Sequence, residues 1–116
     1  MVLPKRNKIS DNSEFEKIYR KGRKMQGEFL TLIFLKNRNG ISRFGVVVSG
    51  KVSKKATERN RIKRKITEII RKDFADFKGG FDFLILAKPE SLSKKSDNLK
   101  KDLMSILRKI RVPKLT

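Results

Sequence analysis

At 116 residues the chain is the size of one domain, and its 37% apolar content, which includes eight Phe, is lean but sufficient for one core. Its 31 Lys and Arg against 12 Asp and Glu leave a net charge of +19, so self-repulsion opposes compaction and a polyanionic partner is implied. Zero Cys and zero His exclude disulfides, thiolate chemistry and Cys/His zinc sites, and with scattered acids they argue against a self-sufficient protein enzyme. Nucleic acid is favoured over membrane as the partner, because no apolar run approaches the length of a bilayer span. MVLPKRNK lacks the apolar stretch of a secretory signal, and the cysteine-free composition suits the cytoplasm.

In chain order, residues 1–9 are basic, carry Pro4 and read as an extended arm. Asp11 with Glu14 fits a capping box, which predicts a helix from Asn12 to Lys21 closed by Gly22 as its C′ residue. Phe15, Ile18 and Tyr19 share one face of that helix. FLTLIFLK, residues 29–36, predicts a strand buried on much of both faces. NRNG, residues 37–40, is a turn signal with Gly40 available for positive φ, and RFGVVVS, residues 43–49, is a second strand. The simplest pairing of the two strands is an antiparallel hairpin.

Residues 53–77 turn helical: Ile62, Ile66, Ile69, Ile70, Phe74 and Phe77 form one apolar stripe that stops at Gly79 and Gly80. FDFLILAK, residues 81–88, predicts a third strand halted by Pro89. An amphipathic helix from about Ser96 carries Leu99, Leu103, Ile106, Leu107 and Ile110 on one side and ends near Pro113. No linker divides the chain. The expected architecture is a single α+β domain, a sheet with helices packed on it.

The central helix opens on ERNRIKRK, residues 58–65. At 100° per residue Ile62 joins the apolar stripe, while Asn60, Arg61, Arg64 and Arg71 lie on the far side. Arg59 and Lys55 project over the N-terminal end of the stripe. Between Lys51 and Lys72 stand ten basic residues and two acids, Glu58 and Glu68. Such a face, with the approach VVVSGKVSKK, can offer guanidinium forks and backbone N–H groups to phosphates. Plainer readings compete. A Lys/Arg run can be a solvated face or a nuclear address, but an address belongs on an accessible tail rather than inside a periodic helix. ERNR also opens the basic region of leucine-zipper helices, yet no leucine heptads follow here.

The stretch FGVVVSGKVSKKATERNRIKRKITEIIR resembles the protein subunit of bacterial ribonuclease P, whose loop V-x-K-K is followed by A-x-x-R-N-R-x-K-R. The similarity takes in LPKRNKISDNSEFEKIYRKG and FDFLILAKPE, and so covers roughly residues 3 to 111. There are two departures: Thr67 stands where the family commonly has Arg, and Gly50 where it often has a loop Lys. The resemblance implies a small α/β sandwich with a mixed sheet and a left-handed βαβ crossover through the basic helix. It implies a protein that partners a catalytic RNA and precursor tRNA, with no membrane and no obligate protein partner, in Mg²⁺-dependent removal of the 5′ leader. The RNA would hold most of the Mg²⁺ and do the hydrolysis, leaving the protein with no catalytic and no metal-ligating residue.

By the same resemblance, Lys54, Lys55, Arg59, Asn60, Arg61, Lys63 and Arg64 look like the surface that docks on the catalytic RNA. Phe15, Tyr19, Ser49 and Lys51 match the cleft that receives the leader. Helical spacing alone would make Phe15 and Tyr19 core. The alternative function is a non-catalytic structural RNA-binding protein, such as a ribosomal one, using the same patch.

Overall fold

The described residues form seven regular elements, with a short 3-10 turn before the first helix and another after the last strand. The structure, a computed structural model, describes residues 5–9, 11–38, 40–73 and 80–110. Helix α1 is Asn12–Lys21, strand β1 Arg23–Gln26, β2 Leu30–Lys36, β3 Arg43–Val47, α2 Ala56–Asp73, β4 Phe81–Ala87 and α3 Ser96–Ile110. The expected Phe74, Phe77, Gly79 and Pro113 lie outside the described residues. Gly40 and Gly80 take positive φ, 73° and 65°.

The strands form one mixed sheet in the order β1-β2-β4-β3. The expected β2–β3 hairpin does not form: β4 lies between them, antiparallel to β2 and parallel to β3. The composition of β4 explains this. Phe83, Leu84 and Ile85 are buried on both faces, so the strand belongs in the middle of the sheet rather than at its edge. β1 has no sequence signal, because Arg23, Lys24 and Gln26 are exposed and leave no alternation to read. Its position comes from its turn into β2, where Asp102 of α3 accepts the backbone N–H groups of Glu28, Phe29 and Leu30 at 2.8–2.9 Å. Gly27 is needed there, since a Cβ would lie 2.5 Å from Asp102 Oδ2.

The arm is fastened. Residues Lys5–Asn7 make a 3-10 turn, Lys8 bridges to Phe44, Asn7 Nδ2 donates to Ser42 O at 2.8 Å, and Ile9 is buried. Burial of the apolar Ile9 supplies the reason. The capping box is half formed: Asp11 caps Ser13 N–H at 3.0 Å, but Glu14 turns to Arg43 instead. Gly22 has φ −73°, so it is not a left-handed cap. It permits close approach, because a Cβ would meet Ile18 O and Ile33 Cγ2 at 2.6 Å.

Helices α2 and α3 cover one face of the sheet. Ile62, Ile66, Ile69 and Ile70 pack with Leu99, Leu103, Ile106 and Leu107 onto Leu30, Leu32, Phe44, Phe83 and Ile85. On the other face Ile18 of α1 joins Ile9, Ile33 and Leu84 in a smaller cluster. The crossover hand follows from β3. Phe44 faces α2, and its carbonyl accepts the Ile9 N–H at 2.9 Å on the outer side of the strand. For an L-residue with its side chain towards the viewer and the strand running upward, N–H and C=O point right. The arm is therefore right of β3 and β4 left. A chain that passes in front through α2 and returns to the left makes a left-handed crossover, against the usual preference.

Candidate nucleic-acid interface

The loop between β3 and α2 is held by its own contacts. Val52 is buried as a plug, and its N–H donates to Ser49 O at 3.1 Å. Ser53 Oγ accepts the Lys55 N–H at 3.1 Å and bonds the Glu58 carboxylate. Arg59 Nη1 donates to Ser53 O at 2.9 Å. The helix begins at Ala56, three residues later than the periodicity suggests, because its first N–H groups, those of Glu58 and Arg59, donate to Lys55 O while Ser53 holds the loop before it. Ser49 and Lys51 are exposed on the turn, with Lys51 N–H 3.3 Å from Ser49 Oγ.

Because the isoleucine stripe fixes α2 on the sheet, its remaining faces are set. Lys54, Lys55, Asn60, Arg61, Lys63 and Arg64 are exposed, and Arg59 is half-buried by its bond to the loop. Among the described residues none of these cations takes part in an ion pair; the helix's one internal pair joins Arg71 to Glu68, and that contact lowers the Glu68 pKa. Arg61 and Arg64 are neighbours at i, i+3. Arg64 lies on the flank towards β3, and Arg61 one column further out.

Beside that flank is a hollow of about 290 Å³ between the arm, β3 and α2, lined by Lys8, Ile9, Phe44, Val46, Asn60, Lys63, Arg64 and Thr67, with Phe15 reaching in from α1. Thr67 bonds back to Lys63 O at 2.8 Å, so its hydroxyl is already satisfied. A second hollow continues round the β3 edge past Val47 and Val48 to Asn12, Arg59 and Asn60. A third runs beneath α1 between Phe15, Glu16 and Tyr19 on one wall and Val47, Leu84 and Leu86 on the floor. Phe15 lines all three. Its ring lies over Gly45, where a Cβ would come within 2.5 Å of Cε1. The hollows beside the basic flank of α2 and the aromatic cleft under α1 thus meet at Phe15. Helical spacing alone makes Phe15 and Tyr19 core; instead Ile18 is the core residue, Phe15 is half-buried and Tyr19 is 53% exposed.

The sequence carries no signal for the arm's contribution, Lys8 and Ile9, or for the floor. The floor depends on strand order, although the alternation in FDFLILA does mark Leu84 and Leu86 as sharing one face. The loop has unused space: a side chain at Gly50 would meet nothing within 4 Å. Gly50→Lys should therefore fold normally and steepen the salt dependence of binding to a polyanion by about one charge's worth, measured by filter binding across a salt series.

The family model for Ribonuclease P matches residues 3–111. A ribonuclease P protein component from Clostridium botulinum (strain Loch Maree) is 41% identical over 90% of this chain and 95% of its own length. One from Microcystis aeruginosa is 33% identical over 97% of each. The RNase P protein from Staphylococcus aureus superposes with a TM-score of 0.81 at 25% identity, over 91% of this chain and 96% of that one. The Thermotoga maritima RNase P protein gives 0.78 at 27% identity, over 88% and 96%. With a matching sequence model, relatives of matching length and a shared sandwich fold, this chain belongs to the ribonuclease P protein family.

Proposed function

We propose that the chain is the protein subunit of a ribonuclease P: it binds the catalytic RNA through α2 and its approach loop, and takes the single-stranded 5′ leader of precursor tRNA into the groove under α1. The observation that carries this reading is the join at Phe15 between Arg59 and Lys63 of α2, which form no ion pair among the described residues, and an apolar, aromatic-walled groove. Cations of this kind displace counterions from phosphates, and the Arg forks among them can bind bidentately. Bases stack on exposed rings with little sequence preference, at roughly 1–3 kcal/mol each. That tolerance suits a leader whose sequence varies. Among the described residues no three acidic side chains converge as a metal cage, and we assign the Mg²⁺ mainly to the RNA, where it would supply activation of the attacking water. The protein's work is to bind, orient and neutralise charge.

Mixing the protein with catalytic RNA and precursor tRNA at low Mg²⁺ should raise the rate of 5′ cleavage, while the protein alone cuts nothing. No increase, together with equal affinity for unrelated structured RNAs, would point to a purely structural RNA-binding protein. Phe15→Ala should weaken binding of long-leader substrates about tenfold, the worth of roughly one stacked base, and leave leaderless tRNA unchanged.

A further inference from the structure

Tyr19 carries a cation over its ring. Lys24 of β1 places Nζ 5.1 Å from the ring centroid. The register explains how a strand residue reaches a helix side chain. Lys24 pairs with Ile33 and Ile33 with Leu84, so all three project from the sheet face that α1 covers. Strands β1 and β3 are opposite edges of the sheet. Three strand spacings separate them, about 14 Å. Arg59, Asn60 and Lys63 thus stand beyond the β3 end of the hollow under α1, and Lys24 stands past its Tyr19 wall on the β1 side.

Lys24 is exposed and, among the described residues, forms no ion pair; the Tyr19 ring is what its ammonium faces. A cation–π contact at an exposed site is worth about 0.5–1 kcal/mol and leaves the ammonium donors open. Glu16 is the acid on the same wall of the groove, one helical turn before Tyr19. Its carboxylate turns phosphates away from the middle of the floor and makes the two ends the places where a backbone can be held.

We infer that Lys24 is the distal phosphate contact of the groove: a single strand whose base stacks on Tyr19 delivers its adjoining phosphate to Lys24 Nζ. This rests on reading the groove as a single-strand site, and it adds a length requirement. A strand anchored at the β3 end and too short to reach β1 cannot use Lys24, so the residue discriminates long from short leaders held there.

The chain provides its own probe, since Tyr19 is its one tyrosine and there is no tryptophan. A single-stranded RNA of about eight nucleotides should quench Tyr19 emission as it stacks. Lys24→Gln should keep the quench at saturation, weaken binding three- to tenfold, and lower the salt slope by about 0.7, the value for one single-strand phosphate. Lys24→Arg should restore both. A strand of about two nucleotides, and the catalytic RNA itself, should bind wild type and Lys24→Gln alike. Quenching with unchanged affinity and slope in Lys24→Gln overturns the assignment of Lys24 but leaves the groove reading standing. Binding without any quench in the wild type overturns the groove reading as well.

Discussion

Replacing Arg61 and Arg64 together by Ala should weaken binding to the catalytic RNA about 30-fold and flatten its salt slope by about 2, one for each phosphate left without its arginine. Both side chains are exposed and outside any ion pair among the described residues, so their charge is available to a partner. The helix beneath them is held by Ile62, Ile66, Ile69 and Ile70, none of which the substitutions touch. Ala is also the better helix former, and removal of two like charges at i, i+3 relieves repulsion, so stability should hold or rise slightly. A weaker affinity therefore cannot be an unfolding effect. Arg71→Ala is the internal control: its guanidinium is already engaged by Glu68, and its removal should change affinity little. Filter binding between low and moderate salt reads all three proteins. If the Arg71 variant weakens as much as the double variant, net charge drives binding and the helix face has no special part in it.

How much of this is legible in the sequence depends on the range of the forces involved. Helix α1 and the isoleucine stripe of α2 are readable because their spacing is local, and so is the outward position of Asn60, Arg61 and Arg64. The order of β2 and β3 is not, because adjacency in sequence favours a hairpin whereas burial on both faces draws β4 between them. The arm's charge points to an extended, solvated segment, although burial of Ile9, with the Asn7 and Lys8 contacts, pins it beside β3. For the site, the family resemblance supplies Phe15 and Tyr19. Their union with the basic helix is a property of Gly45, whose missing side chain lets the Phe15 ring reach the β3 edge. Lys24 is invisible in the sequence because its partner Tyr19 lies across a helix end, and no periodic rule links the two.

The largest stability effect is expected at Arg43. Its Nε and Nη2 grip the two oxygens of Asp82 at 2.9 and 2.8 Å, and Nη2 also reaches Glu14 of α1 at 2.9 Å. The hydrogen bond to Asp82 raises the Arg43 pKa well above its ordinary value, against the opposing pull of burial, so the guanidinium is charged throughout the working range. Asp82 is 6% exposed, and it also accepts a hydrogen bond from Asn37 Nδ2 at 2.7 Å. Arg43→Ala leaves that carboxylate buried and largely uncompensated, which costs about 3–5 kcal/mol in comparable pairs. A domain of this size has a margin of only about 5–15 kcal/mol. The urea midpoint should fall accordingly. Asp82→Asn in the Arg43→Ala background should recover part of the deficit, because an amide is cheaper to bury than an orphaned charge. Arg43→Lys should be intermediate, keeping charge but not the two-pronged geometry. The effect reaches the groove as well, because Glu14 is the tie that holds the first turn of α1, and with it Phe15, over β3. At temperatures where the Arg43→Ala protein is still folded, its affinity for long-leader substrates should drop while its affinity for the catalytic RNA changes less. If the single and double variants prove equally unstable, the orphaned carboxylate is not the cause, and the role of Arg43 reduces to its packing over the sheet.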